Sequence, residues 1–408
     1  MKRRQVLAYG VLGLPLAFGA LPIYLFVPDL YARSGLLGLS AIGMVLLLTR
    51  LLDAIADPCF GWLIDRYPRK PLLYAAIVPF GIGFVALFSP SLISAVYPAI
   101  WLFTSLVVCT LGFSAAMIAY QAWGGDLGSD SSERLRLTGA REAFMLAGVV
   151  IAAVIPTLIS DNPMIGMQAL PWFLGGVLFI AVGIVWRMPA GQQQITQESL
   201  LSRLKVAWAD TVYRKLLLVF FTNGIASAFP ATLFVFYVTD VLDASAQTGL
   251  LLGTYFFAAA LSVPIWVRIS QWVGRSWTWM MAMFLAIASF SGAAFLGVGD
   301  WLWFLGVCVV SGVAVGTDLT IPASMVADLG EKHGATGTYF GIWNLVAKIN
   351  LALAAGVALP LLAVLGYAPG NTNHTDVLIA VYVLLPLALK AVAICLLFSW
   401  RQTLIIKE

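Results

Sequence analysis

Histidine is almost missing from this chain: 408 residues contain only His333 and His374, in loops expected on opposite faces, and no H-E-x-x-H or nucleophile motif accompanies either. A catalytic constellation at membrane depth is therefore not legible, and the chain reads as no enzyme. Cysteine is scarce too, with Cys59, Cys109, Cys308 and Cys395 all inside apolar segments, where a thiol acts as a small hydrophobe and no disulfide framework is implied. Charge is the third shortage, at 10% of residues. The net charge of +4 comes from basic loops and does not point to nucleic acid. No sizeable soluble domain of the kind a receptor carries is present.

What is abundant is apolar surface. With 61% hydrophobic residues and a mean hydropathy of +0.94, no water-soluble core could hide it, so lipid must be the solvent. Stretches of about 20 apolar residues suit membrane helices. They fall near 7–27, 38–62, 72–90, 95–121, 141–161, 170–188, 214–238, 247–270, 276–297, 301–325, 337–363 and 377–399, twelve in all. A closed barrel would need alternating strands of about ten residues, whereas these segments are apolar all round. The first follows Met1-Lys2-Arg3-Arg4 but is too long for a secretory signal and lacks a small-residue cleavage site, so it reads as a retained helix.

Basic residues cluster at the N-terminus and in the even links: Arg66, Arg69 and Lys70, then Arg134, Arg136 and Arg141, then Arg203, Lys205, Arg214 and Lys215, then Arg268, Arg275 and Lys332. The odd links carry only Arg33. By the positive-inside rule both termini are cytoplasmic, and the expected location is the plasma membrane, a bacterial inner membrane or its equivalent.

The longest polar stretch, 191–215, divides the chain into an N-terminal six-helix bundle (1–190), a cytoplasmic linker with an amphipathic helix (191–213) and a C-terminal bundle (214–408). A weak internal repeat relates the halves. At an offset of 206, Pro58 falls on Pro264 and Arg69 on Arg275, and AWGGDL at 122–127 corresponds to SMVADL at 324–329. Such a repeat puts a solute site at mid-membrane between the halves.

GWLIDRYPRK at 61–70 matches the G-x-x-x-D-R-x-x-R-K signature of major facilitators. Gly61 permits close packing, while Asp65, Arg66 and Arg69 supply a gating charge network. Upstream, LLLTRLLDAIADPCFGW places Arg50, Asp53 and Asp57 inside a membrane helix on nearly one face, with Pro58 just below. Intramembrane charges cost at least about 2.5 kcal/mol each, so they need partners and mark a solute or ion path. An internally neutralised Arg50–Asp53 pair explains two of the three.

At these residues the chain resembles the glycoside-pentoside-hexuronide:cation symporters, the melibiose permease family. The resemblance rests on Tyr9-Gly10, on the R-x-x-D-A-x-x-D-P-x-x-G block from Arg50 to Gly61, on SERLRLTGAR at 132–141 and on LGYAPG at 365–370. It implies the twelve-helix major facilitator fold, with Asp53 and Asp57 as cation-coordinating carboxylates and Arg141 as a pocket arginine. Lys348 falls where the family places a lysine facing the aspartates, with Asn344 one turn before it and Trp343 alongside. Lys390, nearer a helix end, can snorkel to the interface.

Two departures bear on the cargo. The family's first-helix carboxylate position holds Pro15, and a third cation-site carboxylate position holds Met117. Asp53 and Asp57 are balanced by Arg50 and Lys348, so the group is neutral without a metal ion, and a thioether cannot join the oxygen shell of sodium. Asp318 in the tenth segment either restores that charge or pairs with Lys348 or Lys390 for assembly. Further pocket candidates are Tyr120, Gln121, Asn223 and Tyr255. The expected protein is a monomeric secondary transporter of a small, amphiphilic solute, working by alternating access without a cofactor. Its coupling ion is a proton, with sodium held at Asp53 and Asp57 as the alternative. A sodium-coupled sugar or glycoside symporter and an uncoupled lipid or drug exporter are the other readings.

Overall fold

The computed structural model describes residues 1–33, 37, 39–89, 97–160, 163–193, 195, 197–367 and 375–404, and among these every regular element is helical. His374 and the last three residues of the LGYAPG string lie outside the described residues. Two compact units emerge: Met1–Ala207 with Val326–Leu345, and Trp208–Met325 with Val346–Glu408.

The first unit contains α1 (Arg3–Val11), α2 (Gly13–Arg33), α3 (Leu39–Arg66), α4 (Arg69–Leu87), α5 (Pro98–Leu127), α6 (Ser131–Ile159), α7 (Pro163–Gln168), α8 (Leu170–Trp186) and α9 (Leu200–Ala209). The second contains α10 (Thr211–Phe236), α11 (Thr248–Val273), α12 (Arg275–Ser291), most of α13 (Trp301–Lys332), the later part of α14 (Thr336–Val364), α15 (Thr375–Ile379) and α16 (Leu385–Leu404).

Among the described residues eleven helices are long and apolar enough to cross a bilayer. The remaining long helix, α3, has 28 residues and spans about 42 Å at the usual rise. It carries Arg50, Asp53, Asp57, Asp65 and Arg66, which is why composition alone does not single it out. The first apolar segment, expected as one helix, is interrupted by a turn at Leu12. Pro15 lacks the N–H that would bond the Val11 carbonyl, which favours a break there. By contrast α3 runs unbroken through Pro58.

The outward faces are apolar. Trp172, Phe179 and Trp272 are 83%, 83% and 86% exposed, an arrangement only lipid tolerates. Inward faces pack through small residues. A Cβ on Gly83 of α4 would come 2.5 Å from the Cys109 nitrogen on α5, and one on Gly112 of α5 would come 2.5 Å from the Phe80 nitrogen on α4. Because backbone cannot yield as a side chain can, Gly83→Val is expected to destabilise the protein by about 1–3 kcal/mol. Thermal denaturation in detergent checks this against Gly81→Val, where the added Cβ meets nothing within 4 Å.

In the second unit, α10 passes into a π-turn at Tyr237–Val241, and a second π-turn at Ala380–Leu384 joins α15 to α16. The two are stacked through Tyr237 and Tyr382, whose ring centroids lie 4.2 Å apart, and the Tyr237 hydroxyl donates to the Ala293 carbonyl at 2.5 Å. After α14, burial and then the adjacent Asp240 carboxylate push the Tyr367 phenol above its ordinary pKa, and its hydroxyl donates to Asp240.

Candidate functional site

Helix α3 presents an inverted face. Val45, Thr49, Asp53, Asp57, Gly61 and Asp65 recur every four residues and are all buried, while Leu47, Leu48, Leu51, Leu52 and Ile55 are exposed. In lipid this is the stable orientation, since carboxylates need protein partners and leucines do not. Asp53 is 4% exposed and Asp57 fully buried, and the Ser114 hydroxyl of α5 donates to Asp53 Oδ1 at 2.5 Å. Arg50 lies on the exposed side of α3.

Gln121 and Met117 continue the buried side of α5 below Ser114, and Gln121 Oε1 accepts from Asn344 Nδ2 of α14 at 2.9 Å. Two pocket residues expected from separate segments are thus brought together. Trp343 beside them is 5% exposed. Gly341 permits this approach, because a Cβ there would sit 2.6 Å from the Asp57 carbonyl. One turn earlier Gly337 and Gly61 lie backbone to backbone, so that either would collide with the other if it bore a side chain. Gly337 and Gly341 make a small-xxx-small face on α14 that fits α3.

Below that contact stand the charged residues expected to gate. Asp65 accepts from the amides of Gly337 and Thr338 at 2.7 and 2.8 Å and from the Thr338 hydroxyl at 2.7 Å, acting as an N-cap for α14 supplied by another helix. Arg69 joins Asp65 at 3.0 Å, donates to the Ala122 carbonyl and pairs with Asp126. Gln193 of the linker bonds the carbonyls of Ile64 and Tyr67 and accepts from the Arg69 amide. Arg66 is half-buried, with its guanidinium over the Trp62 ring.

The repeat-related Asp328 is held by Arg134, whose Nε lies 2.5 Å from Asp328 Oδ1, and by the Ser131 hydroxyl. In the sequence Arg134 reads only as a loop charge, so this pairing is not legible there. The AWGGDL and SMVADL correspondence was the signal for it.

Arg141 lies on α6 at 1% exposure, paired through Nε and Nη2 with Glu142 Oε1 at 3.1 and 2.7 Å. Tyr120 is fully buried. Its hydroxyl donates to the Tyr9 carbonyl at 2.5 Å, and the Tyr9 hydroxyl donates back to the Tyr120 carbonyl at 2.9 Å.

In the second unit, Lys348 is half-buried on α14. Asp318 of α13 accepts from Trp279 Nε1 of α12 at 2.8 Å and from Lys390 of α16 at 3.1 Å, while Lys390 also donates to Asn223 at 2.7 Å and Ser227 at 3.3 Å. Lys390 therefore does not snorkel: at 9% exposure it is held inside by these acceptors. Tyr255 of α11 is half-buried within electrostatic reach of Asp318.

Apolar helices that turn carboxylates and amides toward their own packing faces define a polytopic membrane protein. The chain belongs to the major facilitator superfamily, in its MFS/sugar transport protein family of glycoside-pentoside-hexuronide:cation symporters, whose family pattern matches residues 6–401. It is 23% identical over 381 residues to the inner membrane symporter YicJ of Escherichia coli K12, covering 88% of this chain and 81% of that one. It is also 23% identical to an isoprimeverose transporter of Lactiplantibacillus pentosus, covering 93% and 85% of the two chains. Among solved structures, the E. coli fucose:proton symporter superposes with a TM-score of 0.73 at 13% identity, covering 97% of this chain and 98% of that one.

Proposed function

We propose that this protein is a cation-coupled symporter with twelve spans and cytoplasmic termini, residing in the inner membrane and moving a small amphiphilic solute by alternating access. The observation that carries the reading is the buried carboxylate pair Asp53 and Asp57 on the packing face of α3, with Ser114 donating to the first. Groups this costly to bury are kept where an ion must be taken up and released.

A proton is favoured over sodium. Met117 lies on the buried side of α5 one turn from Ser114, where a third oxygen ligand would serve sodium. The solute site is assigned to Gln121, Asn344 and Trp343, a hydrogen-bonding amide pair beside an indole.

A sodium-coupled glycoside symporter is the second reading. It is favoured by that same amide pair, since amides bind hydroxyls, and by the likeness to the isoprimeverose transporter.

Thermal shift of the purified protein across pH, with sodium or potassium, tests the choice. The expected result is a pH-dependent shift with no sodium preference, abolished by Asp53→Asn or Asp57→Asn. Sodium-specific stabilisation lost in either variant would install sodium as the coupling ion. If neither substitution alters the ion response, Asp53 and Asp57 are structural and the coupled reading falls.

A further inference from the structure

Four helices of the second unit converge on one ion pair. The Lys390 ammonium has three protons and three acceptors, Asp318, Asn223 and Ser227. Asp318 has two donors, Lys390 and the uncharged Trp279 indole. Its side chain and that of Lys390 are 12% and 11% exposed, whereas the Arg69–Asp65 pair is sealed at 2% and 0%. The Lys390–Asp318 pair is the less enclosed of the two.

The partners suit a change of charge. With a proton on Asp318, Trp279 can still donate to Oδ1, and Lys390 keeps Asn223 and Ser227. That proton alone would leave an uncompensated ammonium in low dielectric, which is strongly disfavoured. An arriving anion removes the objection: it takes the place of the Asp318 carboxylate on Lys390, and the displaced carboxylate binds a proton. Nearby, Asn350 of α14 is 3% exposed, and neither its amide oxygen nor its nitrogen has a hydrogen-bond partner among the described residues. It rests against Gly224, the residue next to Asn223 on α10. A buried orphan amide is expensive and suits a second oxygen of a bound ligand.

We propose that the Lys390–Asp318 cluster is an anion site for a monocarboxylate with an apolar tail, and that binding there loads one proton onto Asp318. The titratable groups facing it are Lys390 from α16 and Tyr255 from α11, while α10 and α12 contribute only the neutral Asn223, Ser227 and Trp279. Lys348 lies two residues from Asn350 and so projects from the opposite side of α14. The proposal narrows the amphiphilic solute of the transport reading and does not depend on Asp53 or Asp57.

The test is proton uptake by weakly buffered purified protein, followed with a pH indicator as octanoate is added and compared with octanol and acetate. Octanoate is expected to drive uptake of about one proton per anion bound, and octanol none. Uptake is lost in Asp318→Asn and in the charge-neutral double variant Asp318→Asn with Lys390→Gln, which removes both charges together and keeps the fold. It is retained in Asp318→Glu, which keeps a titratable carboxylate beside Lys390. Uptake that survives the double variant, or that disappears in Asp53→Asn while Asp318→Asn keeps it, overturns the proposal and leaves the first-unit carboxylates as the proton site. Absence of any octanoate-driven uptake in the unsubstituted protein overturns it as well, without touching the thermal-shift test of Asp53 and Asp57.

Discussion

Replacing Asp65 with alanine is expected to remove about 3–5 kcal/mol of stability, the usual cost of leaving a buried charge without its counter-ion. The carboxylate is fully buried and receives four hydrogen bonds, from Arg69, from the Gly337 and Thr338 amides and from the Thr338 hydroxyl. Alanine removes both acceptor oxygens and with them all four bonds. The Gly337 and Thr338 amides of α14 then lose their acceptor, and Arg69, 2% exposed, keeps Asp126 as its only carboxylate among the described residues. Asp65→Asn separates these effects. Its single oxygen can hold one amide while its NH2 confronts the other, so a smaller loss of about 1–3 kcal/mol is expected. Thermal denaturation in detergent ranks the two, and equal losses would show that the amides matter little beside the charge.

Glu142→Gln should have an effect of similar size for a different reason. Arg141 is 1% exposed, and Glu142 supplies the oxygen that both its Nε and Nη2 reach. A guanidinium cannot shed its proton to escape burial, so loss of the partner charge costs about 3–5 kcal/mol. Removing both charges, as Arg141→Met with Glu142→Gln, should recover most of it. If the single variant is as stable as the unsubstituted protein, the guanidinium has another anion at hand, and Arg141 is free to serve the pocket as the family resemblance implies.

Much of this was legible from the residues. The helices announce themselves by length and hydropathy, and α3 by the cost of charge in an apolar run. The four-residue spacing of Asp53 and Asp57 puts them on one face, whereas Arg50, expected on nearly the same face, lies on the exposed side, because three residues back is 60° short of a full turn. Partners were harder to see. Asp65 binds backbone amides 272 and 273 residues away, and a backbone amide carries no residue-type signal. Ser114 looked like any small residue of a membrane helix until its hydroxyl was found on Asp53. Lys390 was read by its nearness to a helix end, whereas its acceptors come from α10 and α13, which no local pattern connects. Tyr120 was assigned by type, and the geometry binds its hydroxyl to the Tyr9 carbonyl.

The stacked π-turns at Tyr237–Val241 and Ala380–Leu384 carry an ancestry as well as a shape. A π-turn is what one inserted residue leaves in an α-helix. Deleting a residue from either would restore the ordinary winding and remove the local bulge that sets Tyr237 or Tyr382 against its partner. Point substitutions can drift through these helices one at a time. Length changes cannot, so descendants of this chain should hold the two segments at fixed length together or lose both.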